Sequence, residues 1–281
     1  MKTINNISIY FVLFFSLISC SKSDSMQNNT MILSFNNTFK QQLIVLGDEN
    51  SQQATINISQ EGQKHHFSEL KYVISNIRLI NSDGVEFPYH INNLDEGAAV
   101  IDQSKPESLD VVLKNIPEAS YKQIKFGLGL KRELNLIDQI RFPKFFAQAD
   151  KNDTQMMWEW GTGYRFTKIE GFYDQDNKKL SVHTGSTIQG NEGEYTQGVD
   201  AYREIVLDLP EFAQVGQSIA RVNVRADFDK LLSGKNSLIL NSENDVPNTH
   251  NTLYMLQFVE NLGGDGQHDL TGMFSIINVS Q

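Results

Sequence analysis

Apolar and polar residues alternate with a period of two in short runs along most of this chain. That pattern marks strands whose successive side chains face opposite sides of a sheet. The runs are TMILSFNNTF (30–39), KQQLIVLG (40–47), QATINISQEGQ (53–63), FSELKYVISNIRLI (67–80), SLDVVLKNIP (108–117) and SYKQIKFGLGL (120–130). Further along come MMWEW (156–160), YRFTKIEGFY (164–173), KLSVHTG (179–185), YREIVLDL (202–209) and IARVNVRADF (219–228). SLIL (237–240), LYMLQFV (253–259) and GMFSIINV (272–279) close the series. Within 67–80 the alternation of Leu70, Tyr72 and Ile74 changes phase near Asn76 before Ile77 and Leu79, which predicts a bulge. Asn81 to Gly84 is a turn signal, so residues 67–91 read as a hairpin with Pro88 at an edge. Apolar spacing becomes helical only over Glu133–Asp150. The pattern predicts a mainly β, antiparallel, β-sandwich-like single domain with one short helical segment.

The first thirty residues do not follow this pattern. Ile7 to Ile18 is nearly all apolar and too short to span a bilayer as a mature helix, and its length suits a secretion signal. It runs into Leu17-Ile18-Ser19-Cys20, which looks like a bacterial lipobox with the chain's single cysteine at the lipidation position. The expected organisation is a signal peptide over 1–19, a polar tether over 20–30 and a β domain over 31–281. Lipidated Cys20 would anchor the protein to the membrane, as an outer-membrane lipoprotein of the bacterial envelope facing the periplasm or the cell surface. With Cys20 acylated no thiol remains, so disulfides and thiolate metal sites are excluded. Any metal would be held by His, Met, carboxylate, amide or a group made after translation.

A formal net charge of −10 argues against a nucleic-acid partner, whose phosphates demand a positive surface. The chain has no P-loop, no G-x-S-x-G, no H-E-x-x-H and no G-x-G-x-x-G after a strand, and it is not expected to be an enzyme. The segment MMWEWGTGYRFTKIEG (156–171) holds both tryptophans. On a strand Trp158 and Trp160 would share one face, with Met157 and Glu159 opposite. Both indoles could simply fill the core, as large aromatics usually do.

Several blocks in order, over roughly the middle half of the chain, resemble the copper-binding MbnP-like proteins, a family named for a methanobactin-associated protein and common among bacterial lipoproteins. They are LKYVISNIRL (70–79), YHI (89–91), IPEASYKQIKFGLGL (116–130) with Asn135 after it, MMWEWGTGYRFTKIEG, and VHTG (182–185), with MFSI (273–276) a weaker match. The chain departs from the family where Gly-Val-Asp is often found, since it carries Gly129-Leu130-Lys131.

The resemblance implies copper held by histidine and by a tryptophan oxidised to kynurenine, the oxidation performed by a di-haem cytochrome c peroxidase-like partner. Ring opening supplies an arylamine nitrogen where an intact indole offers none, and Cu(I) accepts imidazole and thioether donors. On that basis the candidate metal residues are His183, His90, Trp158, Trp160 and Met157, with Trp158 the first choice for modification. Met156, like Met157, could supply a thioether, although gap-filling core packing is the commoner use of Met. Glu170 could accept a bond from a ligating imidazole, or form an exposed same-face pair with Lys168. His65 and His66 read as a solvated loop before a strand, and His268 as part of a turn in GGDGQHD (263–269). The rival function is a non-metal surface lipoprotein whose aromatic residues stack on glycan or protein.

Overall fold

The computed structural model describes residues 29–159, 163–189, 196–264 and 272–281. Two sheets carry the fold. The five-stranded sheet runs β15 (Phe274–Ser280), β14 (Ala220–Asp227), β1 (Thr30–Phe39) and β2 (Gln42–Leu43), with β7 (Asp110–Lys114) also paired to β1. The eight-stranded sheet runs β10 (Lys178–Thr184), β9 (Thr167–Tyr173), β4 (Lys64–Asn81), β8 (Ala119–Leu128) and β13 (Arg203–Val215). Three short strands, β3 (Asn57–Ile58), β5 (Glu86–Pro88) and β6 (Ala99–Asp102), add to β4. β11 (Ile188–Gln189) and β12 (Thr196–Gln197) form a separate small hairpin.

Apolar residues from both sheets meet in one continuous core. Phe35 of β1 packs edge-on against Tyr72 of β4 at 6.1 Å, Phe126 of β8 at 5.8 Å and Phe274 of β15 at 6.3 Å, which ties the sheets together. Among the named strands of the described residues the pairing is antiparallel except that β1 and β14 run parallel, Met31 opposite Ala220 through Thr38 opposite Asp227. The β-sandwich-like class holds with that amendment.

β4 is the spine of the molecule. Leu70, Tyr72 and Ile74 face the inter-sheet core, while Val73 joins a second buried cluster with Leu130, Phe145, Met156, Tyr164 and Phe166 on the outer face. The bulge expected near Asn76 is present. Asn76 takes a left-handed φ of 51°, the pairing to β8 shifts between Ser75 and Arg78, and the Asn76 amide donates to the Tyr202 hydroxyl at 2.8 Å. The β4–β5 hairpin also forms, Arg78 opposite Pro88.

Five expectations change. His65 and His66 do not lie in a solvated loop: they open β4 and are buried, His65 between Phe39 and Phe67, His66 stacked on Phe172. Apolar neighbours on both faces of the sheet explain this. LYMLQFV is helical, not a strand, within α4 (Thr252–Gly263), because Met255, Phe258, Val259 and Leu262 form a buried stripe at helical spacing. Besides α4 there are the short turns α1 (Leu94–Gly97) and α3 (Lys230–Ser233), so helix is not confined to one segment. The helix expected over Glu133–Asp150 shrinks to α2 (Pro143–Ala149): Pro143 starts it, and the Asp138 carboxylate accepts the Ile140 and Arg141 backbone N–H groups in a loop before it. SLIL contributes only an isolated bridge at Ser237.

Candidate metal centre

Strands β9 and β10 form a hairpin at the end of the large sheet. Its odd-numbered β9 residue Ile169 and the β10 residues Leu180 and Val182 enter the inter-sheet core. The alternate positions Lys168, Glu170, Ser181 and His183 therefore share the outer face. Glu170 pairs with Ser181 in register and Lys168 with His183. Glu170 Oε1 lies 2.5 Å from His183 Nε2 and accepts from Ser181 Oγ at 3.2 Å. A carboxylate that accepts the Nε2 proton leaves Nδ1 as the imidazole's lone-pair donor. The last residues of VHTG serve the same geometry. Thr184 Oγ1 bonds Thr167 Oγ1 at 2.8 Å, and Gly185 follows.

The tryptophan segment turns back over this face. It is not a strand at 156–159. It is a reversal closed by the Met157–Tyr164 bridge and by the Arg165 N–H donating to the Met156 carbonyl at 2.7 Å. Asn135 holds the returning limb, its buried side-chain oxygen accepting the Tyr164 N–H at 3.0 Å, directly beneath Gly163 with φ of 80°. The Arg165 guanidinium donates to the carbonyls of Gln155 and Met157, both at 2.7 Å, and so stitches the outgoing limb.

These bonds set Trp158 between two groups. Its ring lies 6.2 Å from the His183 imidazole, tilted by 58°, and the Arg165 guanidinium carbon sits 5.0 Å over it. The indole is 3% exposed. Gly185 makes room for it, since a Cβ there would stand 2.9 Å from indole Cζ2 and 3.1 Å from Nε1. Burial lowers the Arg165 pKa, against the carboxylates of Glu159, Glu170 and Glu69, which raise it.

A second polar layer supports the turn. Lys71 and Lys168 lie opposite each other on β4 and β9, both almost buried, and would repel without a counter-charge. Glu69 bridges them at 2.5 and 2.9 Å. Lys71 also donates to the Thr154 carbonyl at 3.1 Å, and Lys168 to Gln155 Oε1 at 2.8 Å, so the buried cations grip the chain just before Trp158. Lys168 is thus a buried partner of Glu69, not half of an exposed pair with Glu170.

The structure brings His183, Trp158 and Glu170 together and places half-buried Met157 beside Trp158 in the chain, while Met156 is fully buried in the second core cluster. It does not bring His90 to them. His90 is exposed, with a left-handed φ of 46°, after the Tyr89 N–H bonds Ile77 at the far half of β4. His183 registers through Lys168 with Lys71, so roughly 20 Å of strand separates the two histidines. Trp160, Cys20 and His268 lie outside the described residues. Among the described residues no group of three or more His, Cys, Asp or Glu side chains could hold a metal ion. Arg165, Lys71 and Glu69 were not singled out from the sequence. The one signal for Arg165 was its place in the Trp-rich block.

The chain matches the MbnP family over residues 28–252. Among solved structures it is similar to MbnP from Methylosinus trichosporium, with a TM-score of 0.56 and 14% sequence identity, over 90% of this chain and 99% of that one. That identity supports a shared fold. No curated protein matches. The family match spans most of the chain, including the strands that build the Trp158–His183 face, and this protein belongs to the MbnP family.

Proposed function

We propose that this is a copper-binding lipoprotein of the bacterial envelope, tethered through Cys20, which captures or carries copper and is not itself a catalyst. The observation that supports it is the packing of the Trp158 indole against the His183 imidazole, with Glu170 behind that imidazole. Copper is the cargo, and as Cu(I) it is a soft ion that accepts imidazole and thioether donors. His183 offers Nδ1 and Met157 a thioether. Oxidation of Trp158 to kynurenine by a di-haem cytochrome c peroxidase-like partner would supply an arylamine nitrogen beside His183.

The rival function, a glycan- or protein-binding module, would use exposed aromatic platforms, and Trp158 at 3% exposure is a poor one. Peptide mass mapping of protein purified from its native host tests the proposal. Kynurenine at Trp158 adds about 4 Da, and the protein should carry copper. An unmodified Trp158 in protein that takes up no copper would overturn it.

A further inference from the structure

The cation over the Trp158 ring is unusual for an indole proposed to undergo oxidation. Removing an electron from indole leaves positive charge on the ring, and a guanidinium 5.0 Å away opposes it. Arg165 is 7% exposed, so water screens that opposition weakly. It is also fixed in place by its two bonds to the Gln155 and Met157 carbonyls, and Gln155 is in turn held by Lys168. Glu170, on the His183 side, carries the opposite charge and favours ring oxidation.

From this geometry we infer that Arg165 is a redox-guarding residue. It raises the potential needed to oxidise Trp158, so that weak, adventitious oxidants leave the indole intact, while Glu170 acts in the opposite direction. The biological use of such a guard rests on the reading of Trp158 as the residue that is modified. The guard itself is a property of the unmodified protein.

The test uses purified full-length protein, unmodified, with a one-electron outer-sphere oxidant such as a hexachloroiridate(IV) salt. Two oxidant ions each take one electron from Trp158, one water adds its oxygen, and two protons leave. Hydroxytryptophan results, heavier by about 16 Da, and fragment masses localise it to Trp158. Arg165→Gln, which keeps an amide donor, should react on the order of tenfold faster than wild type. Arg165→Lys, which keeps the charge, should stay close to wild type. Glu170→Gln, which keeps an acceptor for His183, should react severalfold more slowly, and it tests the same electrostatics if Arg165→Gln does not fold. Acrylamide quenching of tryptophan fluorescence checks that Trp158 is no more exposed in the variants. Equal rates in all four proteins, or equal acceleration by Gln and Lys at Arg165, would overturn the inference. Neither result bears on whether the native host makes kynurenine, which the mass of the host-derived protein decides separately.

Discussion

Glu170 and His183 sit across the β9–β10 hairpin with a carboxylate oxygen 2.5 Å from imidazole Nε2. One ring nitrogen is thereby committed to the protein, and the ring is held facing Trp158. Loss of a group that orients a metal-ligating imidazole commonly costs about 10- to 100-fold in affinity. Glu170→Ala is expected to weaken copper binding by that factor, and Glu170→Gln by less, because Gln still accepts from Nε2. Competition against a calibrated Cu(I) chelator measures both.

Gly185 and Trp158 are packed so closely that no side chain fits between them. In Gly185→Ala the new methyl would meet indole Cζ2 and the Tyr164 carbonyl, both at 2.9 Å. A loss of about 1–3 kcal/mol of stability is expected, with the indole displaced from His183. Chemical denaturation and the tryptophan emission spectrum would register the two effects.

Glu69 separates two buried lysines. Removing its charge in Glu69→Gln leaves Lys71 and Lys168 facing each other, with Asp102 Oδ2 3.7 Å from Lys71 as a weak substitute. The expected cost is about 2 kcal/mol, moderated because Glu69 is partly exposed. Because the same lysines hold Thr154 and Gln155, the variant should also loosen the Trp158 turn, seen as faster amide exchange around Met157.

His65 predicts the pH response. Burial pushes its pKa down to about 4 from the ordinary 6.5, so the folded protein resists a proton that the unfolded chain accepts. Stability tied to this residue is complete above pH 6.5 and is lost as the pH falls from about 6.5 toward 4, by about 3 kcal/mol in total. His65→Phe, between the Phe39 and Phe67 rings, should flatten that part of the stability curve in thermal melts at pH 4 to 7.

Much of this architecture was legible in the sequence where the apolar run was long and punctuated by turn residues. β4 shows this, with its bulge at Asn76 and its hairpin to Pro88. The residues of VHTG also have roles that their positions account for, each facing core, indole or Thr167. Other features depended on distant partners. The stripe from Met255 to Leu262 reads as helix only when it is followed past Val259. The parallel pairing of β1 with β14 leaves no mark in either strand. The two lysines look like ordinary solvated charges until register sets them opposite each other with Glu69 between. The indole of Trp158 was expected on a strand face and instead lies outside the sheets, beside the Met157–Tyr164 bridge, where Asn135 and Arg165 bind the backbone of Tyr164, Gln155 and Met157.

The central claim is that His183 and a modified Trp158 hold copper together. Its most direct test is the copper content, after equilibrium dialysis, of wild type and His183→Ala, each purified from the native host. Copper retained by wild type and lost from His183→Ala, with Trp158 heavier by about 4 Da in both, is the predicted result. Equal copper in the two proteins would contradict it.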